Sequence, residues 1–144
     1  MVTSLQRLYV LLLAPAIAGC IAVFLLEKAH GPVFVSPPYP EVIVPLVFIF
    51  SVVFAVALPI LCRSLFANKM RGRQYTSAGE WLRFERILLC VAMVTPFFAL
   101  AAHILRLPRF HYAGTAIMAL YAVYYYYPSK RRIAFDKRIF RVRE

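Results

Sequence analysis

Twenty-one consecutive residues, Val42 to Cys62, carry no charge. A bilayer core about 30 Å thick needs roughly 20 helical residues to cross it, and this run supplies them. Leu8 to Leu26 gives a second run without charge, Ile87 to Leu105 a third and Phe110 to Tyr127 a fourth. The chain is therefore predicted to be all-α, an integral membrane protein with four transmembrane helices in an antiparallel bundle: TM1 8–26, TM2 42–62, TM3 87–105 and TM4 110–127. Only 16% of the residues are charged, against about 25% in soluble domains, which agrees with a single membrane domain over 1–144.

The charges that exist are distributed unevenly. The central interval Arg63 to Arg86 holds Arg63, Lys69, Arg71, Arg73, Arg83 and Arg86 against Glu80 and Glu85. The tail 129–144 holds seven more basic residues against two acidic ones. Positive loops stay in the cytoplasm. With Arg7, fourteen basic residues then lie inside, while Lys28, Arg106 and Arg109 lie outside. This asymmetry predicts both termini inside and a multi-pass protein of a bacterial inner membrane. The net charge of +11 is accordingly read as topology and attraction to anionic lipid on the cytoplasmic side. It does not mark a nucleic-acid surface, because the basic residues cap apolar runs.

Punctuation along the chain refines this picture. Glu27 to Pro40 is rich in proline and includes Val33, Phe34 and Tyr39; it is expected to be a non-helical outer loop packed on the helix ends. Pro59 and Pro96 lie inside predicted spans and are expected to kink them. Thr95 stands ready to compensate a freed carbonyl. Ser77 to Glu80 has the S-x-x-E spacing of a capping box, so a helix should start near Ala78. The link Arg106 to Arg109 is so short that the third and fourth spans must be antiparallel neighbours.

Small residues at four-residue spacing, Ala14, Ala18 and Ala22, would let another helix approach the first span, and Thr115 with Ala119 would do so on the fourth. Trp81 with Arg83 and Arg86, and the run Tyr124, Tyr125, Tyr126 and Tyr127, are expected as anchors at the membrane–water boundary. The apolar residues of the tail form no clean stripe, which leaves helix and extended chain open. Docking of the tail on this chain or on a partner is an alternative to lying on headgroups. Ile17-Ala18-Gly19-Cys20 resembles the box at which bacterial lipoprotein signal peptides are cut. The apolar run continues through Leu26, however, so a retained helix is expected.

Signals for chemistry are sparse. Cys20, Cys62 and Cys90 are isolated, with no C-x-x-C, and read as small apolar residues. No phosphate-binding glycine loop, nucleophile elbow or zinc-protease motif is present. No Asp, Glu, Lys or Arg lies within a predicted span, which counts against a self-contained ion-coupled transporter. The one constellation is histidine. His30, His103 and His111 all fall on the outer side, and facing helices can hold haem or metal through imidazole. The expectation is nevertheless a non-enzymatic protein without cofactor: a small subunit that docks on a larger membrane protein, in an assembly such as a multi-component transporter. The alternatives are a haem- or metal-binding redox protein using those histidines, and a small homo-oligomeric lipid or solute carrier.

Overall fold

The computed structural model of the chain describes residues 2–32, 35–72 and 74–143, without the side chains of Val2 and Arg143. Val33, Phe34 and Arg73, named above, lie outside the described residues, as does Glu144. The described chain is helical throughout, apart from turns and two short strands. We number five helices: α1, Val2–His30; α2, Pro40–Met70; α3, Ala78–Ile104; α4, Arg109–Tyr125; and α5, Lys130–Ile139. Three of them, α1, α2 and α3, are long and apolar enough to cross a membrane. At 1.5 Å per residue each runs to roughly 40 Å or more, so each exceeds a bilayer core. Helix α4 has 17 residues.

Each boundary has a local cause. Gly31 and Gly72 adopt φ of +87° and +89° at the ends of α1 and α2, a region open to glycine without strain. Ser77 is the N-cap of α3, where the S-x-x-E spacing places it. Ser77 Oγ accepts from the Glu80 backbone N–H at 3.2 Å and donates to Glu80 Oε2 at 3.3 Å. Helix α3 ends in a Schellman turn. The Leu107 N–H donates to Ala102 O and the Arg106 N–H to His103 O, both at 3.1 Å. Leu107 and Ala102 then pack together with Val44. The left-handed position of that turn is Arg106, φ +46°; the turn brings α4 back along the second half of α3. The outer loop is tied down by the Val35 N–H, which donates to Ile104 O at 3.1 Å.

Pro59 and Pro96 disturb their helices, each a few residues before the ring, whereas α1 runs unbroken through Pro15. A π-helical stretch, Val53–Ala57, precedes Pro59. A proline at 59 cannot donate to the Ala55 carbonyl, and the buried Tyr126 hydroxyl donates to that oxygen at 3.2 Å. Helix α3 is interrupted at Met93 and Val94, just before Thr95 and Pro96. The compensation expected of Thr95 does not form: its Oγ1 is buried with no hydrogen-bond partner among the described residues. Elsewhere hydroxyls bond to their own helix, Ser51 Oγ to Phe48 O at 2.7 Å and Thr115 Oγ1 to His111 O at 2.8 Å. Polar side chains can thereby sit in an apolar bundle.

The main core lies at one end of the bundle, the end where α2 leaves and α3 begins. Leu5, Tyr9, Phe66, Met70, Trp81, Phe84, Leu88, Leu89, Tyr126 and Ile133 belong to it. We call this the inner end and the opposite one the outer end. The outer cluster is much smaller, Val44, Ala102 and Leu107. Helix α1 packs along α3, where Ala16 is buried and a Cβ on Gly19 would lie 2.7 Å from a Leu100 methyl. At the inner end it also meets the end of α4. Tyr9 Oη donates to Val123 O at 2.9 Å and Gln6 Nε2 to Pro128 O at 3.3 Å, satisfying carbonyls beyond the last helical donors.

Candidate functional site

The tail 129–143 is folded onto the inner end of the bundle. Ser129 caps α5, its Oγ accepting from the Arg132 N–H at 3.2 Å. Ile133 is buried, and Phe140 sits edge-on to the Phe66 and Phe84 rings at 5.1 and 5.7 Å. Those two rings are themselves stacked, with centroids 4.2 Å apart. Beyond the helix, Val142–Arg143 pairs in parallel with Thr76–Ser77, beside the cap of α3. This resolves the open conformation of the tail. Ile133, Lys137 and Phe140 follow helical spacing on the packed side, while Phe135 and Ile139 point outward, 63% and 55% exposed. Two apolar faces on one short helix are why no single stripe is visible in the sequence.

At the centre of this contact are four ionisable side chains. Arg63 of α2 bonds Asp136 Oδ2 through Nη2 at 3.3 Å. Arg132 Nη2 bonds Glu85 Oε2 of α3 at 3.2 Å, and Arg132 Nε lies 3.5 Å from Asp136 Oδ2. The two carboxylates are 3% exposed, Arg132 15% and Arg63 30%. Each acid here is buried beside a base, and any one of the four left alone would be costly there. Glu85 Oε1, Arg63 Nε and Arg132 Nη1 are buried without partners among the described residues. Two cations also lie over rings, Arg132 over Tyr126 at 5.5 Å and Lys137 over Trp81 at 5.7 Å. The cluster joins α2, α3 and α5 and acts as a clamp. Sequence reasoning counted these residues only as loop and tail charge. The available signals were the i,i+4 spacing of Arg132 and Asp136 and Glu85, a lone acid between Phe84 and the third apolar run.

The anchors read from the sequence divide. Trp81 is completely buried in the core and Tyr126 almost so, so neither ring reaches a membrane boundary. Trp81 is covered by Lys137 of the tail, and Tyr126 is drawn inward by the carbonyl that Pro59 leaves free. Tyr124, Tyr125 and Tyr127 remain exposed, at 87%, 43% and 47%, with Tyr127 edge-on to Tyr9. Arg83 is exposed and Arg86 Nη2 donates to Ser4 Oγ at 3.4 Å.

The small-residue positions divide as well. Thr115 and Ala119 are buried in the bundle, and next to them a Cβ on Gly114 would meet Phe48 at 2.5 Å. Ala14, Ala18 and Ala22 face outward; the inward face of α1 carries Ala16, Gly19 and Val23 instead.

The histidines lie at the outer end. His103 Nε2 is 3.3 Å from Glu27 Oε2, tying the outer ends of α1 and α3 together. His111 packs edge-on against Phe48 and Phe110, and its Nδ1 is buried without a partner among the described residues. His30 is exposed in the last turn of α1. Among the described residues no group of three or more His, Cys, Asp or Glu is gathered as metal ligands. Comparison with protein-family models, with curated proteins and with solved structures gives no match to any of the three.

Proposed function

We propose that the chain crosses a bacterial inner membrane four times, with both ends in the cytoplasm, as a non-catalytic subunit of a larger transport assembly. In this reading α4 is the fourth span, Phe110 to Tyr127, held antiparallel to α3 by the turn at Arg106. The positive-inside distribution of lysine and arginine supports the orientation.

The observation that carries the subunit role is the outward face of α1. This helix packs mainly along α3. Its side away from α3 presents Ala14, Ala18 and Ala22 among exposed Leu11, Ile21 and Leu25. Between helices in lipid there is little hydrophobic drive, so association depends on close van der Waals fit, and small residues permit it. A strip of three alanines unused by the chain's own packing suits a helix of another protein.

The test is a photo-crosslinker placed at position 18 and, as a control, at the buried position 16, followed by mild extraction. The expected result is one dominant membrane-protein adduct from position 18, abolished by Ala14→Leu with Ala22→Leu, and none from position 16. A monodisperse lone chain with no adduct would reject the subunit role. A Soret band lost on His103→Ala would instead establish the redox alternative.

A further inference from the structure

An open groove of about 630 Å³ lies between the inner ends of α2 and α3, within the size range of small-ligand sites. The stacked rings of Phe66 and Phe84 form its floor, and Leu65 and Ile87, 60% and 51% exposed, form its walls. Lys69 and Arg83 stand on its rim, both exposed, and neither makes an ion pair or hydrogen bond among the described residues. Glu80 also lines the groove, but its carboxylate is engaged by Ser77 in the cap of α3.

The arrangement has a direction. Lys69 follows Leu65 by four residues on α2, which runs toward the inner end. Arg83 precedes Ile87 by four on α3, which runs away from it. On both helices the charge therefore sits one turn nearer the inner end than its apolar neighbour. Two cations lie at the cytoplasmic mouth and an apolar trough leads toward the membrane interior.

We propose that this groove binds one anionic phospholipid of the cytoplasmic leaflet, its phosphate between Lys69 and Arg83 and an acyl chain along Phe66 and Phe84. The charge matches a phosphodiester, and anionic lipids are enriched in that leaflet. A free phosphate would meet the same cations but leave the trough uncovered. The site rests on the orientation proposed above and is independent of the subunit role.

The experiment uses the full chain in neutral detergent, stripped of lipid by exchange. It is then offered phosphatidylglycerol in mixed micelles, phosphatidylcholine in the same micelles, or inorganic phosphate alone. Bound lipid is counted by native mass spectrometry. Wild type is expected to retain phosphatidylglycerol at one per chain and neither of the other two. A cation near an anionic headgroup contributes roughly a fivefold factor, so K69A/R83A should weaken binding about thirtyfold. Leu65→Trp fills the trough with both charges intact and should abolish retention while the protein still elutes as a single species. Arg131→Ala, on the exposed side of α5, should bind as wild type does.

Equal retention by K69A/R83A and Leu65→Trp overturns the site, as does equal retention of phosphatidylcholine or binding of phosphate alone. Capture of another protein by a crosslinker at position 65, with no lipid retained, overturns it too. Since binding in detergent does not depend on orientation, cysteine labelling of the two membrane faces tests that premise separately.

Discussion

Replacing Asp136 with alanine should release the C-terminal helix while leaving the outer half of the bundle intact. The carboxylate is 3% exposed and is shared between Arg63 at 3.3 Å and Arg132 at 3.5 Å. Removing one partner of a buried ion pair costs about 3–5 kcal/mol, mostly because the remaining charge is stranded. Two features place this site at the lower end of that range. Arg63 is 30% exposed and can be hydrated, and Arg132 keeps Glu85 at 3.2 Å. About 3 kcal/mol lost from the docking of α5 corresponds to opening more often by on the order of a hundredfold. Amide hydrogen exchange in detergent micelles reads this directly. Amides of Lys130–Ile139 should exchange faster by that factor, and those of the outer half of α3 should not change. Asp136→Asn, which keeps the shape and removes the charge, should give most of the effect. Exchange within about threefold of wild type in both variants would refute the clamp, since that is the scale of an exposed surface pair.

Further outcomes follow from the packing and from the proposed orientation. Tyr126→Phe removes the hydroxyl donor to Ala55 O and should cost about 1–3 kcal/mol, seen as a lower melting temperature in mild detergent. Gly114→Ala places a Cβ 2.5 Å from the Phe48 ring and should cost about 1–3 kcal/mol by overpacking. Gly79→Ala meets nothing within 4 Å and should change stability by no more than about 0.5 kcal/mol; equal effects of the two glycine variants would refute the packing argument. With Cys20, Cys62 and Cys90 replaced by alanine, Ser36→Cys should react with an impermeant maleimide in intact cells. Asn68→Cys should react only after permeabilisation, and the opposite pattern would overturn the four-span orientation.

The parts of the fold that show in the sequence are those governed by local rules. Charge-free length marks the middle of α1, most of α2 and the outer part of α3, but α1 runs on to His30 and α2 to Met70, into stretches read as loops; the S-x-x-E spacing marks the start of α3. What the sequence conceals depends on contacts between distant segments. Trp81 has the composition of an interfacial anchor, and only the arrival of the tail, fifty residues later, turns it into core. Tyr126 stands in a run of four identical residues. Nothing local distinguishes it from Tyr124, yet one is buried and the other 87% exposed. The difference is made by a carbonyl on α2 that a proline has deprived of its donor. The alanine strip has the same character: spacing identifies a smooth face without saying which side of α1 meets α3.

The placement of the core has a physical consequence for how such a chain is held together. Within lipid, apolar side chains gain little by meeting one another instead of acyl chains. Burial of apolar surface from water contributes about 25 cal/mol per Å², but only where water is the alternative. Helix α3 is roughly 40 Å long, longer than a bilayer core, and in the proposed orientation its first turns, with Trp81 and Phe84, lie beyond that core on the cytoplasmic side. Phe140 and Ile133 come from a tail that would otherwise be in water. The tight aromatic cluster thus stands where the hydrophobic effect can act. Toward the outer end, α2, α3 and α4 are matched by fine fits such as Gly114 to Phe48 and are less strongly driven together. Loss of the tail should therefore loosen the inner ends of α2 and α3 first, opening the groove between them and spreading Lys69 from Arg83. If the groove holds lipid as proposed, Asp136→Ala should weaken phosphatidylglycerol retention although it touches no groove residue, and unchanged retention would show that the two features are mechanically separate.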